Sequence, residues 1–313
     1  MKQFVRRVTG HVIDITDRLE VQTESTLWQP GSLADYFIDL RLKLALLPEN
    51  EDERLSQLRQ ALPVALCQFA LAYYQQHGRT RDPEALSGSL ACADLLVAGQ
   101  QQEGARRGAW LYDVPSPYRS PRPWASAMAQ GQALSVLSRA HVANRQESRY
   151  AEAARLGFTL FGRTIDAGGV ISRDDAGLVC LEEYPSDPPG HVLNGWIFAL
   201  VGLREYADTF GDGQAADLAD ESLRALARIL PRYDTGFWSR YDLFARFPMA
   251  FLANRFYHRL HIAQLRAMFR LSGQLVFQEF ADRWLGYLAS QTCRLRYNWH
   301  RVWYKGACLV TGW

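Results

Sequence analysis

The sequence has no paired cysteines at metal-ligand spacing. Its five cysteines, Cys67, Cys92, Cys180, Cys293 and Cys308, stand singly. An odd total without a CxxC excludes a disulfide framework and a zinc module, so the thiols are expected reduced and no metal or other cofactor is expected. Charge of one sign is also lacking. With 35 Lys and Arg against 33 Asp and Glu, the formal net charge is +2. That excludes a polybasic nucleic-acid surface, and any polyanionic ligand must be held by local groups. No apolar run reaches the ~18 residues that span a bilayer. The opening MKQFVRRVTGHVIDITDR is charged but has no apolar signal-peptide core. The expectation is a cytoplasmic protein with no membrane span and no nucleic-acid partner.

Aromatic residues make up 12% of the chain, which suits a carbohydrate cleft and a large core equally. The pattern predicts a mainly α fold, an (α/α) barrel or toroid of helical hairpins with short β-hairpin insertions at one end. Residues 1–50 form an N-terminal arm, 51–293 the barrel, and 294–313 a β-like extension. Within the arm, a strand is expected at 11–15, and the aromatic segment 36–40 is expected to pack on the main body. A helical pattern runs over 52–77, with Pro63 kinking it or starting a second segment. Asp82-Pro83 reads as N-cap and N1 of a helix ending near Gly99. Further helices are expected at 124–143, 148–162, 192–210, 215–230, 257–271 and 276–290.

These helices pair. VLNGWIFALVGLREY is apolar nearly all round, whereas AADLADESLRALARIL carries one stripe at Leu218, Leu223, Leu226 and Leu230. An inner buried helix and an outer half-wet one follow. Related inner segments begin near 128, 192 and 261, a period of roughly 65 residues. β-like segments lie between the hairpins: GGVISRDDAGLVCLEEY around a turn at Asp175 and Gly177, then GFWSRYDLF, then RYNWHRVWYKGACLV. Insertions gathered at one end of a helical barrel build an active-site rim.

Four clusters carry candidate chemistry. In Met128-Ala129-Gln130-Gly131-Gln132, Gly131 serves either close helix packing or substrate approach, with Gln130 and Gln132 bonding hydroxyls. In Glu182-Glu183-Tyr184, strand alternation puts Glu183 opposite Glu182 and Tyr184 unless the strand has already ended. Tyr233-Asp234-Thr235-Gly236 with Tyr241-Asp242 is a turn signature. In Arg255-Phe256-Tyr257-His258-Arg259-Leu260-His261, helical spacing puts Tyr257 and His261 on one face. Without a third ligand the two histidines are expected to line a cavity rather than bind a metal.

Together these clusters resemble the C-terminal catalytic domain of the D-glucuronyl C5-epimerases, which convert D-glucuronate to L-iduronate in heparan sulfate and heparin precursors. The matching motifs, in order, are MAQGQALS (128–135), EEYP (182–185), HVLNGWIFALVGLREY (191–206), LPRYDTG (230–236) with YDL (241–243), and YHRLHIAQL (257–265). The resemblance implies acid/base roles for Glu183, Tyr184 and Tyr257. It implies a substrate cleft lined by Tyr233 and Tyr241 and supported by Asn194, His258 and His261. It also implies a uronate-containing polysaccharide or oligosaccharide as partner, and a homodimer. Departures stand out: there is little room for the family's preceding β-domain, Phe256 replaces an acidic residue, and Phe244-Ala245 replaces an Arg-His pair. An exopolysaccharide or glycan precursor fits these departures as well as heparosan does.

The chemistry asks for such residue types independently. A proton α to a carboxylate is removable only when the carboxylate charge is neutralised, and inversion needs acid/base groups on both faces of the sugar. Tyr184 and Tyr257 supply the two faces, or Glu183 supplies one while a tyrosine anchors the sugar. Arg240, Arg246, Arg255 and Arg259 are the candidate cations, with Arg255 taken as substrate-binding. Three other readings stay open: a polysaccharide lyase sharing the first step, a non-catalytic uronate-glycan-binding protein, and an inverting glycosidase using Glu183 with Asp234 or Asp242.

Overall fold

The computed structural model describes residues 25, 27–245 and 249–311. The strand expected at 11–15 lies outside the described residues, as does Arg246. Pro63 starts a new helix rather than kinking one. Helix α1 (Glu51–Arg59) ends, and α2 (Pro63–Thr80) begins with the proline in its first turn, where a missing N–H costs nothing. Asp82 caps α3 (Pro83–Gly99) by accepting from Glu84 N at 2.9 Å. The next pair is α4 (Ala127–Ala143) with α5 (Ser148–Phe158). Then come α6 (Leu193–Phe210) with α7 (Gly213–Ile229), and α8 (Arg255–Ser272) with α9 (Leu275–Ala289).

Helices α2 and α3, α4 and α5, α6 and α7, and α8 and α9 pack as hairpins, while α2, α4, α6 and α8 lie side by side as an inner layer. The sequence placed the first residues of α4 too early. Trp124–Ala125 form strand β2, paired antiparallel with β1 (Leu111–Tyr112), and Ser126 caps the helix behind them. Strands β3 (Ile171–Arg173) and β4 (Val179–Leu181) form the expected hairpin.

Glycine decides how closely the inner helices approach. A Cβ on Gly131 would lie 2.4 Å from Ala199 Cα, and one on Gly202 would lie 1.8 Å from Gly131 O. Gly131 therefore serves packing, and that contact offsets its roughly 1 kcal/mol helix penalty. The same two helices share a buried bidentate pair, Arg139 to Glu205 at 2.7 and 2.8 Å. Arg139 also donates to Asp35 O at 2.8 Å, tying the N-terminal segment to the inner layer. That segment joins the main core: Tyr36 and Phe37 are fully buried, Phe37 meets Phe198 at 5.3 Å, and Leu40 N donates to Gln75 Oε1 at 2.8 Å. A short 3-10 turn, Arg41–Leu46, follows.

Two expectations need correction. The β-like extension expected at 294–313 is not seen among the described residues, where helix α10 (Gln291–Thr311) occupies that stretch. Closely spaced aromatic and β-branched residues imitate a strand, but the faces sort with helical period. Tyr297, His300 and Tyr304 meet Trp238, Phe237 and Phe251, at 4.3, 6.2 and 5.5 Å, whereas Leu295, Trp299, Val302 and Trp303 are exposed. The segment 236–244 forms isolated bridges, Asp234 with Ser239 and Arg240 with Leu252, in place of a hairpin ladder. Among the described residues no helix is long and apolar enough to cross a membrane.

Candidate active site

The starts of all four inner helices open on one cleft. It is lined by Val64 and Gln68 of α2, Ser126 and Met128 at the start of α4, Asn194 and Phe198 of α6, and Phe256, Tyr257 and Leu260 of α8. Tyr112, Trp124, Glu183 and Tyr184 line it as well, as do Ile38, Leu40 and Lys43 of the N-terminal segment. The enclosed space in it is about 80 Å³, room for part of a sugar unit rather than for a polymer. Four helix N-termini facing one space bias it toward anions.

The adjacent carboxylates Glu182 and Glu183 have separate fates because β4 ends at Leu181. Glu182 turns into the structure: it accepts from Ser172 Oγ at 2.6 Å, meets His191 Nδ1 at 2.6 Å and accepts from His191 N at 3.0 Å. His191 has φ 45, a left-handed conformation that needs such support in a residue other than glycine. Tyr233 supplies the rest, donating from its hydroxyl to His191 O at 2.6 Å. Both residues thereby fix the turn that starts α6.

Glu183 turns into the cleft instead. Its Oε2 is buried without a hydrogen-bond partner. Burial pushes the carboxyl up to about 8, with repulsion from Asp242 adding to the rise and a hydrogen bond from Tyr184 opposing it. Gly195 makes room for it, since a Cβ there would lie 2.1 Å from Oε2. Tyr184 stacks on Tyr118 at 4.7 Å. Burial, then the neighbouring Glu183, holds its phenol well above the ordinary range.

Tyr257 enters from the start of α8, where Asn254 caps the helix by accepting from Tyr257 N at 2.8 Å. Its ring meets Tyr241 edge-on at 4.9 Å. Burial and then Glu183 raise its hydroxyl, which a hydrogen bond with Tyr241 partly opposes. Asn194 Oδ1 and Gln68 Oε1 are, like Glu183 Oε2, buried and without hydrogen-bond partners. All three residues line the cleft.

Other expected site residues stand elsewhere. The Gln130 amide is used by backbone groups: Oε1 accepts from Trp110 N at 2.8 Å, and Nε2 donates to Gly108 O and Gly157 O, each at 3.2 Å. Gln132 lies behind the lining, accepting from Gln68 Nε2 at 3.5 Å. His258 and His261 converge on Ser239 Oγ, at 2.7 and 3.0 Å, and His258 stacks on Trp238. Burial pushes His258 down to about 4 and holds His261 well below the ordinary histidine range, as expected of neutral core histidines. Among the described residues no group of three His, Cys, Asp or Glu is placed to hold a metal ion.

The candidate cations also move. Arg255 and Arg259 are exposed, and Arg240 is half-buried away from the lining. Lys43 is the cation that lines the cleft among the described residues. Sequence reasoning missed it because only the alternation of RLKLAL marks it, and its distance from the motifs hides its place. Asp234 pairs with Arg283 at 3.1 Å and lies off the cleft. Asp242, which accepts from the Tyr118 hydroxyl, is not part of the lining either.

Residues 100–286 match the model of the D-glucuronyl C5-epimerase C-terminus. The chain belongs to that family. It is 33% identical over 216 residues to the D-glucuronyl C5-epimerase of Caenorhabditis elegans, an alignment covering 63% of this chain and 34% of the worm protein. An uncharacterised protein of Methanocaldococcus jannaschii is 28% identical over 199 residues, 62% of this chain and 63% of that one. The chain thus spans about a third of the first relative and under two thirds of the second. Among solved structures, the unsaturated glucuronyl hydrolase of Bacillus sp. GL1 superposes with a TM-score of 0.51 at 14% identity, covering 80% of this chain and 71% of that one. A structure described as a UGL variant with dGlcA-Glc-Rha-Glc superposes at 0.50 and 14% identity, covering 91% and 83%. At such identity these two speak for the fold alone, a mainly α (α/α) barrel. The epimerase-family domain contains Glu183, Tyr184, Asn194 and Tyr257, while Lys43 precedes it.

Proposed function

We propose that the protein is a uronyl C5-epimerase, interconverting D-glucuronate and L-iduronate residues of a polysaccharide or oligosaccharide without a cofactor. The observation that carries this is the meeting of Glu183, Tyr184 and Tyr257 in one cleft, with a Glu183 carboxyl oxygen unpartnered. A carboxyl held near 8 has both forms populated close to neutral pH, which suits proton transfer in either direction. Phenols held above their ordinary range stay protonated, and so suit donation better than abstraction. In this reading the Glu183 carboxylate takes the C5 proton, and the electron pair moves into the substrate carboxylate. The Tyr257 hydroxyl then protonates C5 from the opposite face. The tyrosinate so formed and the protonated Glu183 are reset by proton exchange with water or by the reverse turnover. Tyr184 donates a hydrogen bond to Glu183 and holds its orientation.

Incubation with glucuronate oligosaccharides in deuterated water tests the reading. Deuterium at C5 with both epimers present is the expected outcome. An unsaturated uronate absorbing in the ultraviolet would replace epimerisation by a lyase reaction, and binding with no exchange at all would leave only a glycan-binding protein.

A further inference from the structure

We propose that Lys43 receives the substrate's uronate carboxylate, so that the segment preceding the epimerase domain completes its site. The assignment rests on the C5-epimerase reading and supplies the cation that this chemistry requires.

Three observations lead to it. Lys43 lines the same cleft as Glu183, Asn194 and Tyr257. No carboxylate pairs with it among the described residues, although nearby Arg41 and Arg79 both meet Asp39. The arginines near the motifs are exposed, off the lining or outside the described residues. Lys43 is half-buried at a mostly apolar cleft without a counter-charge, a cost that is recovered when an anion arrives. Burial accordingly pushes the Lys43 ammonium down to about 7. A carboxylate beside it restores the charged form. The titratable groups sharing the cleft are Tyr112, Glu183, Tyr184 and Tyr257.

The backbone carrying Lys43 is fixed, as a binding group requires. Tyr36 and Phe37 anchor the segment in the core, Gln75 accepts from Leu40 N, and Arg139 donates to Asp35 O. The 3-10 turn that holds Lys43 follows directly. When the C5 proton leaves, negative charge grows on the substrate carboxylate oxygens. An ammonium already beside them stabilises that growth without reorganising.

The test compares a glucuronate-ended oligosaccharide with its carboxyl-reduced, glucose-ended counterpart. Calorimetry on wild type, Lys43→Met and Lys43→Arg reads the preference, thermal melting checks the fold, and C5 deuterium exchange is measured alongside. Wild type is expected to prefer the uronate by about 10- to 100-fold, the range of a charged hydrogen bond. Lys43→Met should bind both sugars alike and lose at least about 100-fold in exchange, while Lys43→Arg keeps part of the preference. A folded Lys43→Met with the wild-type preference overturns the lysine assignment alone. A wild type that exchanges no deuterium, yet prefers the uronate through Lys43, sinks the epimerase reading and leaves the assignment standing. A wild type that binds neither sugar overturns both.

Discussion

The cleft lining draws on two parts of the chain of different construction, called here its two walls. One wall, Glu183, Tyr184, Asn194 and Tyr257, lies within the epimerase-family domain and presents groups that donate or accept protons. The other, Ile38, Leu40 and Lys43, comes from the segment ahead of it and presents apolar surface with one cation. The first wall is positioned by polar networks behind it: Glu182 and Tyr233 pin His191, and Asn254 caps α8 under Tyr257. The second is positioned by buried aromatics and by hydrogen bonds to the inner helices, among them Leu40 N to Gln75 and Arg139 to Asp35 O. The difference suggests a division of labour, in which proton transfer belongs to the shared domain and charge neutralisation is added from outside it.

Removing the first wall's acid should have the largest effect. Glu183→Gln is expected to lower C5 exchange by about 10³-fold or more, while uronate binding through Lys43 persists. A variant that instead loses the uronate preference and keeps exchange would reverse the division. The same substitution has a stability signature. The folded carboxyl sits near 8 against an ordinary 4.5. The folded state therefore holds a proton that the unfolded state releases, and wild-type stability falls as pH rises from about 4.5 to about 8. Glu183→Gln lacks this dependence, so its melting temperature should draw ahead of wild type across that window, by ~5 °C or more at pH 8. Parallel melting curves at pH 5 and pH 8 would refute the buried, protonated carboxyl.

Gly195→Ala tests the first wall's positioning with a smaller change. The added Cβ would lie 2.1 Å from Glu183 Oε2 and 2.7 Å from its Cβ, so the carboxyl must shift. Exchange should fall by about 10²-fold, with uronate binding close to wild type. The smallest effect is expected at Arg255, exposed at the start of α8. If a polyanionic chain runs past that helix start, Arg255→Ala raises KM by no more than about fivefold and leaves kcat unchanged. A large drop in kcat there would move the substrate carboxylate away from Lys43.

Much of the fold was legible because helical periodicity is local. The inner and outer members of a hairpin differ in how many faces are apolar, and α6 and α7 could be told apart on that ground alone. The turn at Asp175 and Gly177 and the cap at Asp82 rest on neighbouring residues and were equally readable. Period was misread where aromatics are crowded along a helix, in α10. The motifs brought Glu183, Tyr184 and Tyr257 forward as candidates. They also brought Gln130, Tyr233, His258 and His261, which the structure uses for backbone hydrogen bonds and core packing.

Residue type, spacing and motif order determined by themselves the helical class, the family and the pair of motifs that meet at the cleft. The tertiary structure decided which of two adjacent glutamates faces the cleft, because that depends on where β4 ends and on which partner is opposite. It decided that Gly131 and Gly195 make room for a helix and a carboxyl, because close approach is a property of two segments at once. It also placed Lys43, some 140 residues ahead of Glu183, at the same cleft. A lysine's environment is set by what folds around it, and one-dimensional sequence carries no trace of that enclosure.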